Sequence, residues 1–283
     1  MSRMRRTRRG RDRAAATVLY VLLTAGLLVM IAPFVWMLLS SLKGEGELRQ
    51  ASPTWLPADP TLANYRELFD RLDFPRYFAN STLVAVLVTL GNLLLCSATG
   101  YALAKLRFAG RRALFPLVLG NLMVPPAATF VPQFVLVSNL GLVNTYAGLV
   151  LPNIALAVNV FLMRQFILTI PEDLLESARV DGAGEWRVYW QIVLPLCGPV
   201  LATVGILTFL GSWNNFLWPL VVATTEEKYT LPVALALYSV GQNQTQYGLL
   251  LAGSTTIILP VLVVFAFLQR HFVRGVATTG LKS

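Results

Sequence analysis

The chain has 283 residues, 55% of them hydrophobic and only 13% charged, with a formal net charge of +9. A soluble globular domain carries about a quarter charged residues, so this balance points to a membrane protein. The basic excess does not point to nucleic acid: Arg3, Arg5, Arg6, Arg8, Arg9, Arg11 and Arg13 precede the first apolar run, and no folded polar surface follows to present them. Cys96 and Cys197 lie in or beside apolar stretches without metal-ligand spacing, which supports neither a disulfide framework nor a zinc site.

A helix needs about 20 apolar residues to cross the hydrocarbon core. Six stretches free of Asp, Glu, Lys, Arg and His meet that requirement, at 17–40, 77–104, 113–137, 145–163, 196–225 and 247–268. Helices are the form to expect, because lipid offers no partner to a free backbone amide. The first run is too long for a signal-peptide core and continues through Pro33, Trp36 and Met37 without a small-x-small site, so it reads as a retained anchor. With the N-terminus inside, 17 of the 23 Lys and Arg fall on inside segments and 6 outside. The expected fold is an all-α polytopic membrane protein with six transmembrane helices, N-in and C-in. Its parts are a basic cytoplasmic segment at 1–16, a first span at 17–40, an outer loop at 41–76, a five-helix core at 77–270 and a cytoplasmic tail at 271–283.

In the outer loop, Leu62, Tyr65, Leu68, Phe69 and Leu72 recur at near-helical spacing, with Trp55, Phe74, Tyr77 and Phe78 around them. This predicts an amphipathic helix at the outer interface, where aromatic rings settle; a sugar-stacking platform is the sharper alternative. Asn80-Ser81-Thr82 and Asn243-Gln244-Thr245 match a glycosylation acceptor, a motif common by chance. His271, beside Arg270, reads as a flanking residue of the positive side and not as a proton switch.

The cytoplasmic connection at 164–195 carries the most information. Thr169 followed by Glu172 suggests a capping box, and Pro171 suits a first helical turn. Glu172 and Asp173 complement the helix dipole, and Leu174, Leu175 and Ala178 form an apolar edge. Gly182 can end this helix because it tolerates positive φ, and Gly184 helps the chain turn into a second short helix through Trp186, Tyr189, Trp190 and Ile192. A segment lying on lipid headgroups explains the aromatics, but Glu172, Asp173, Glu176, Asp181 and Glu185 gain little from an anionic leaflet. A protein partner fits better.

Glu176-Ser177-Ala178, then Gly182, then Ile192-Val193-Leu194-Pro195 resembles the EAA loop of binding-protein-dependent ABC importer permeases, with Ser177 where that family usually has alanine. Pro33-Phe-Val-Trp-Met, Tyr101-Ala-Leu-Ala-Lys-Leu-Arg-Phe-Ala-Gly-Arg, Leu140-Gly-Leu-Val-Asn-Thr-Tyr, Gly211-Ser-Trp-Asn-Asn-Phe-Leu-Trp-Pro219 and Tyr229-Thr-Leu-Pro232 resemble MalG-type sugar permeases. The resemblance implies the MetI-like fold of a type I ABC importer permease in a bacterial cytoplasmic membrane. It also implies a second, MalF-like permease, two ATPase subunits, an external solute-binding protein and a sugar substrate. Glu176, Ser177, Ala178, Asp181, Gly182, Ala183, Ile192, Leu194 and Pro195 are then the loop that couples to the ATPase.

The chain carries no G-x-x-x-x-G-K-[ST] phosphate loop, so ATP and Mg are expected to act in the partner ATPase, with no cofactor or metal bound here. No ionisable residue falls inside a proposed span, which disfavours a charge-relay transporter; an ion-coupled secondary transporter using carbonyls and hydroxyls is the remaining rival, with a scaffold or channel subunit as a third class. Candidates for the solute path are Asn153, Asn159, Trp213, Asn214 and Asn215, with Trp218 nearby, since amides and indoles suit polyols. The alternative for each is a tie between helices.

Overall fold

The computed structural model describes residues 2–239 and 245–279, with side chains over 16–239 and 245–263. Among these residues every regular element is helical. In chain order they are α1 (Ser2–Ser41), α2 (Glu45–Leu48), α3 (Ala63–Arg71), α4 (Phe74–Lys105), α5 (Arg111–Met123), α6 (Pro126–Asn139), α7 (Tyr146–Val150), α8 (Ala157–Leu168), α9 (Glu172–Val180), α10 (Glu185–Val188), α11 (Leu194–Leu196), α12 (Gly198–Trp213), α13 (Leu217–Val222), α14 (Leu231–Ser239) and α15 (Tyr247–Thr279). The chain forms two compact units, Met1–Arg71 with Ser239–Thr256, and Leu72–Tyr238 with Ile257–Ser283.

In the first unit, 16–41 of α1 is long and apolar enough to span a bilayer, and its side chains are exposed all round, Val29 at 74% and Met30 at 73%. So much apolar surface calls for a hydrocarbon environment. The predicted outer helix is present as α3, with Leu68 buried and Phe69 exposed. Asn64, on the same helix, is also buried and donates from Nδ2 to the carbonyls of Ser41 and Lys43, each at 2.8 Å. Lys43 is buried as well, its Nζ bonded to the Thr54 carbonyl and, at 3.0 Å, to Thr54 Oγ1. The Glu45 carboxylate accepts from the Tyr247 and Gly248 amides, so the exposed N–H groups at the start of α15 are satisfied by a nearby anion. The segment at 42–71 thus folds around a polar core that the hydrophobic pattern does not reveal.

In the second unit, α4 is the central rod. It is long and apolar enough to cross a membrane as one helix, and α8 and α12 pack along it. Gly91 and Gly100 make the approach of α8 and its lead-in possible: a Cβ at Gly91 would lie 2.0 Å from Ile154 Cγ1, and one at Gly100 would lie 2.8 Å from Met163 Cβ. One apolar cluster surrounds the first half of α4 through Val84, Val88, Leu149 and Trp218, and another surrounds the second half through Cys96, Tyr101, Met163 and Val204. Both cysteines are buried and free, as their setting predicts. Asn80 is buried too, donating to the Glu227 and Tyr229 carbonyls and accepting from Tyr146, so its acceptor-like motif lies in the core; Asn243 and the side chain of His271 lie outside the described residues.

Three of the predicted stretches bend. The 113–137 stretch is α5 and α6 meeting at 105°, the 145–163 stretch bends by 44° between α7 with its 3-10 extension and α8, and the lead-in to 196–225 bends by 78° before α12. The first break follows from Pro125 and Pro126: proline lacks an N–H and drives the residue before it to extended backbone, and Val124 is extended at φ −81°, ψ 120°. Gly198 and Pro199 stand at the third break. Absence of charge marks where chain can lie in lipid, but it does not report whether the helix there is continuous.

Candidate functional site: the hairpin at 172–195

The hairpin begins where α8 ends. Thr169 does not cap α9: it is the C-cap of α8, just past Leu168, and its hydroxyl donates back to the Phe166 carbonyl at 2.7 Å. The helix starts at Glu172, and Pro171 precedes it with extended backbone, ψ 136°. The expected capping box is therefore absent, because Glu172 is engaged elsewhere. Its carboxylate pairs with Lys105 at 3.0 Å and Arg179 at 3.2 Å.

The turn is built as expected around Gly182. Its φ is 83°, its N–H donates to the Arg179 carbonyl, and the Ala183 N–H reaches back to the Ala178 carbonyl, both at 3.0 Å. These two bonds form a Schellman closure, which glycine enters without steric cost. Beyond α10 the chain widens into a π turn at Tyr189–Val193 before α11. Pro195 supplies the cause: it has no N–H, and its ring excludes the carbonyl four residues earlier.

The expected coupling residues divide into two sets. Glu176, Ser177, Asp181, Gly182 and Pro195 are exposed, whereas Ala178, Ala183, Ile192 and Leu194 pack against the apolar cluster at the end of α4. Leu175, Val188 and Val193 are completely buried there, each contributing about 1.5–3 kcal/mol. Val180 and Trp186 stand out from the hairpin at 87% and 72% exposure. The Ser177 hydroxyl folds back onto the Leu174 carbonyl at 3.1 Å, so serine in the alanine position leaves no new polar group projecting.

A chain of ion pairs ties the hairpin to α4. Lys105, almost fully buried, donates to the Ile170 carbonyl at 2.7 Å and to Glu172; Arg179 bridges Glu172 and Glu185; the Tyr101 hydroxyl donates to Glu185. Tyr101 and Lys105 are one helical turn apart, so a single face of α4 holds both legs of the hairpin. Hydrogen bonding from Lys105, and then from Arg179, holds the Glu172 carboxyl below its ordinary value. Burial pushes Glu185 upward, but the bonds from Arg179 and Tyr101 outweigh it and the net shift is down. The Arg179 guanidinium is raised, first by Glu185. Half-exposed pairs contribute little energy singly, so this network fixes geometry more than it adds stability. Sequence reading missed it, since Tyr101 and Lys105 lie about 70–85 residues from their partners.

The candidate solute-path residues do not converge. Asn159 is buried, and its amide donates to Asn92 Oδ1 and Thr208 Oγ1, both at 2.9 Å. Asn92, which the sequence did not single out, is the hub: it also accepts from the Leu156 N–H and donates to the Asn153 carbonyl. Trp213 is buried with its indole N–H on the Ile257 carbonyl, and Trp218 is buried with its own on Gly148. Asn215 accepts from the Trp218 N–H. Asn214 is exposed, its amide turned to Leu210 of its own helix.

This all-helical arrangement is the MetI-like permease fold of a multi-pass membrane protein. The chain belongs to the family of binding-protein-dependent transport system inner membrane components, whose model matches residues 96–278. The arabinooligosaccharides transport system permease protein AraQ of Halalkalibacterium halodurans is 39% identical, over 95% of this chain and 99% of its own length. The diacetylchitobiose uptake system permease protein NgcG of Streptomyces coelicolor is 35% identical, over 94% and 89%. Among solved structures, a chain of a bacterial ABC transporter involved in the import of the acidic polysaccharide alginate superposes with a TM-score of 0.82 at 26% identity, over 92% of this chain and 97% of that one.

Proposed function

We propose that this chain is the MalG-type subunit of an ATP-driven importer for a sugar or oligosaccharide, forming half of the translocation path beside a second, MalF-like permease. An external binding protein delivers the solute, and a pair of separate ATPase subunits uses ATP and Mg. The chain lies in a bacterial cytoplasmic membrane with six spans and both ends inside. Its parts are those read above: a basic segment at 1–16, a first span at 17–40, an outer cap at 41–76, a core at 77–270 and a tail at 271–283. The sugar assignment draws on the oligosaccharide relatives; another small solute of the same importer class is the second reading.

The observation that carries the proposal is the hairpin. It presents Glu176, Asp181, Gly182 and the apolar Val180 on one exposed edge, and it is bolted to α4 by Tyr101, Lys105 and Arg179. An ATPase that grips this edge moves α4, and α8 and α12 with it, which is a rigid route from hydrolysis to reorientation of the spans. Of the path candidates, Asn214 is the exposed one; the side chains of Asn159, Trp213 and Asn215 act first as internal ties, and Asn153 lends its backbone carbonyl to Asn92. The test is uptake and ATP hydrolysis by the reconstituted importer carrying Gly182→Trp or Glu176→Lys. Both variants should insert normally, with hydrolysis no longer stimulated by the binding protein and uptake lost. Normal uptake by both would sink the assignment.

A further inference from the structure

A second charged feature lies where α4 gives way to α5. Arg107, Arg111 and Arg112 meet Arg164 of α8 around two neighbouring cavities of about 400 and 360 Å³, lined otherwise by Leu103, Phe108, Gly110, Phe115 and Pro116. No carboxylate lines either cavity, and none of the four arginines joins an ion pair among the described residues. Two of the guanidiniums are held in place. Arg111 donates to the carbonyls of Leu103, Ala104 and Leu106 at 3.0, 2.8 and 2.9 Å, closing the end of α4. Arg164 donates to the Leu103 carbonyl at 3.3 Å and lies 3.7 Å over the Phe115 ring. Carbonyls and a ring orient these cations without neutralising them. Arg107 and Arg112 are exposed and widen the positive field.

We infer that this cluster binds the headgroup phosphate of an anionic phospholipid. Arg111, Arg112 and Arg164 stand around a cavity without a carboxylate, and Arg107, which also borders a cavity shared with Glu172, Glu176 and Glu185, adds to the field. Guanidiniums match a phosphodiester in charge and shape, and two are fixed before the ligand arrives. The apolar walls distinguish a lipid from an acidic peptide. Phe115 and Pro116 lead from the cavity onto α5, where Leu114 and Leu117 are exposed at 44% and 68%, a surface suited to acyl chains running up the helix. Phosphatidylglycerol-type lipids of an inner leaflet supply that combination, and each arginine near an anionic surface strengthens binding by about fivefold. The site stands on local geometry, whatever solute the chain carries.

The experiment uses the purified full chain, stripped of lipid in neutral detergent. It is titrated with dioleoyl phosphatidylglycerol or dioleoyl phosphatidylcholine, with bound lipid counted by native mass spectrometry. Phosphatidylglycerol should bind at least tenfold more tightly than phosphatidylcholine. Arg107→Gln/Arg112→Gln, at exposed positions that leave the fold intact, should weaken phosphatidylglycerol by roughly 25-fold and leave phosphatidylcholine unchanged. Arg112→Lys alone, keeping the charge, should stay within about fivefold of the parent. Equal retention of the two lipids overturns the proposal, as does parental affinity in the double variant. Complete displacement of phosphatidylglycerol by millimolar inorganic phosphate overturns the lipid assignment in favour of a free phosphate.

Discussion

Two polar networks in the second unit are built from similar numbers of groups and serve opposite ends. The Asn92–Asn159–Thr208 network is buried and neutral, and it ties α4 to α8 and α12 through amide and hydroxyl bonds. The Tyr101–Lys105–Glu172–Arg179–Glu185 network is charged, runs from the buried side chains of Tyr101 and Lys105 to half-exposed Glu172, Arg179 and Glu185, and ties α4 to the hairpin. Removing a member of the first strands a buried donor or acceptor with no water to replace it. Removing Arg179 from the second leaves Glu172 and Glu185 where water can solvate them. The first therefore sets how firmly the spans cohere, and the second sets how faithfully the hairpin's position is passed to α4.

The neutral network carries the largest expected effect. Asn92→Leu removes bonds to Leu156, Asn153 and Asn159 at once and should cost about 2–4 kcal/mol, seen as a lowered unfolding midpoint in detergent. Uptake should fall only as folded protein falls; a midpoint equal to the parent's would remove the neutral network's claim. Next is Gly182→Val. A Cβ there meets nothing within 4 Å, so the cost is backbone strain at φ 83°, about 1–2 kcal/mol confined to the turn. Hydrogen exchange should quicken at 178–185 and not along α8.

The charged network yields a smaller, pH-dependent effect. Glu172 and Glu185 titrate below the ordinary value of 4.5 in the folded chain, so their ties are fully present above it and are lost as pH falls through the lowered folded values. Protection of the hairpin amides, corrected for intrinsic exchange, should hold from pH 8 to 5 and decline only below about 4.5. Arg179→Ala should show weakened protection already at pH 7, and a decline in the parent between pH 7 and 5 would contradict the ion-pair account. Smallest is Asn214→Ala. The residue is exposed and among the described residues its side chain bonds only to Leu210 on the last turn of α12, so stability should change by less than about 0.5 kcal/mol. A changed preference among oligosaccharides in an uptake assay would make it a path residue.

The helical character of the apolar stretches, the hairpin and its glycine turn were legible because each rests on local chemistry: absence of charge, apolar spacing, and a residue that alone enters positive φ easily. The capping box misled because Thr169 and Glu172 satisfy the pattern while a distant lysine competes for the carboxylate. Asn92 escaped notice as one amide in a run of apolar residues, and only the arrival of Leu156 and Asn159 beside it gives it a role. The bend at Pro125-Pro126 was readable from two adjacent prolines, but hydropathy averaged across it.

The central claim is that the exposed edge of the hairpin seats in the ATPase. Both native cysteines are buried, so Val180→Cys, at a position 87% exposed, creates a single accessible thiol. Its rate of maleimide labelling should be fast in the permease alone and fall by more than tenfold when the ATPase pair is added. Equal rates with and without the ATPase would contradict the account.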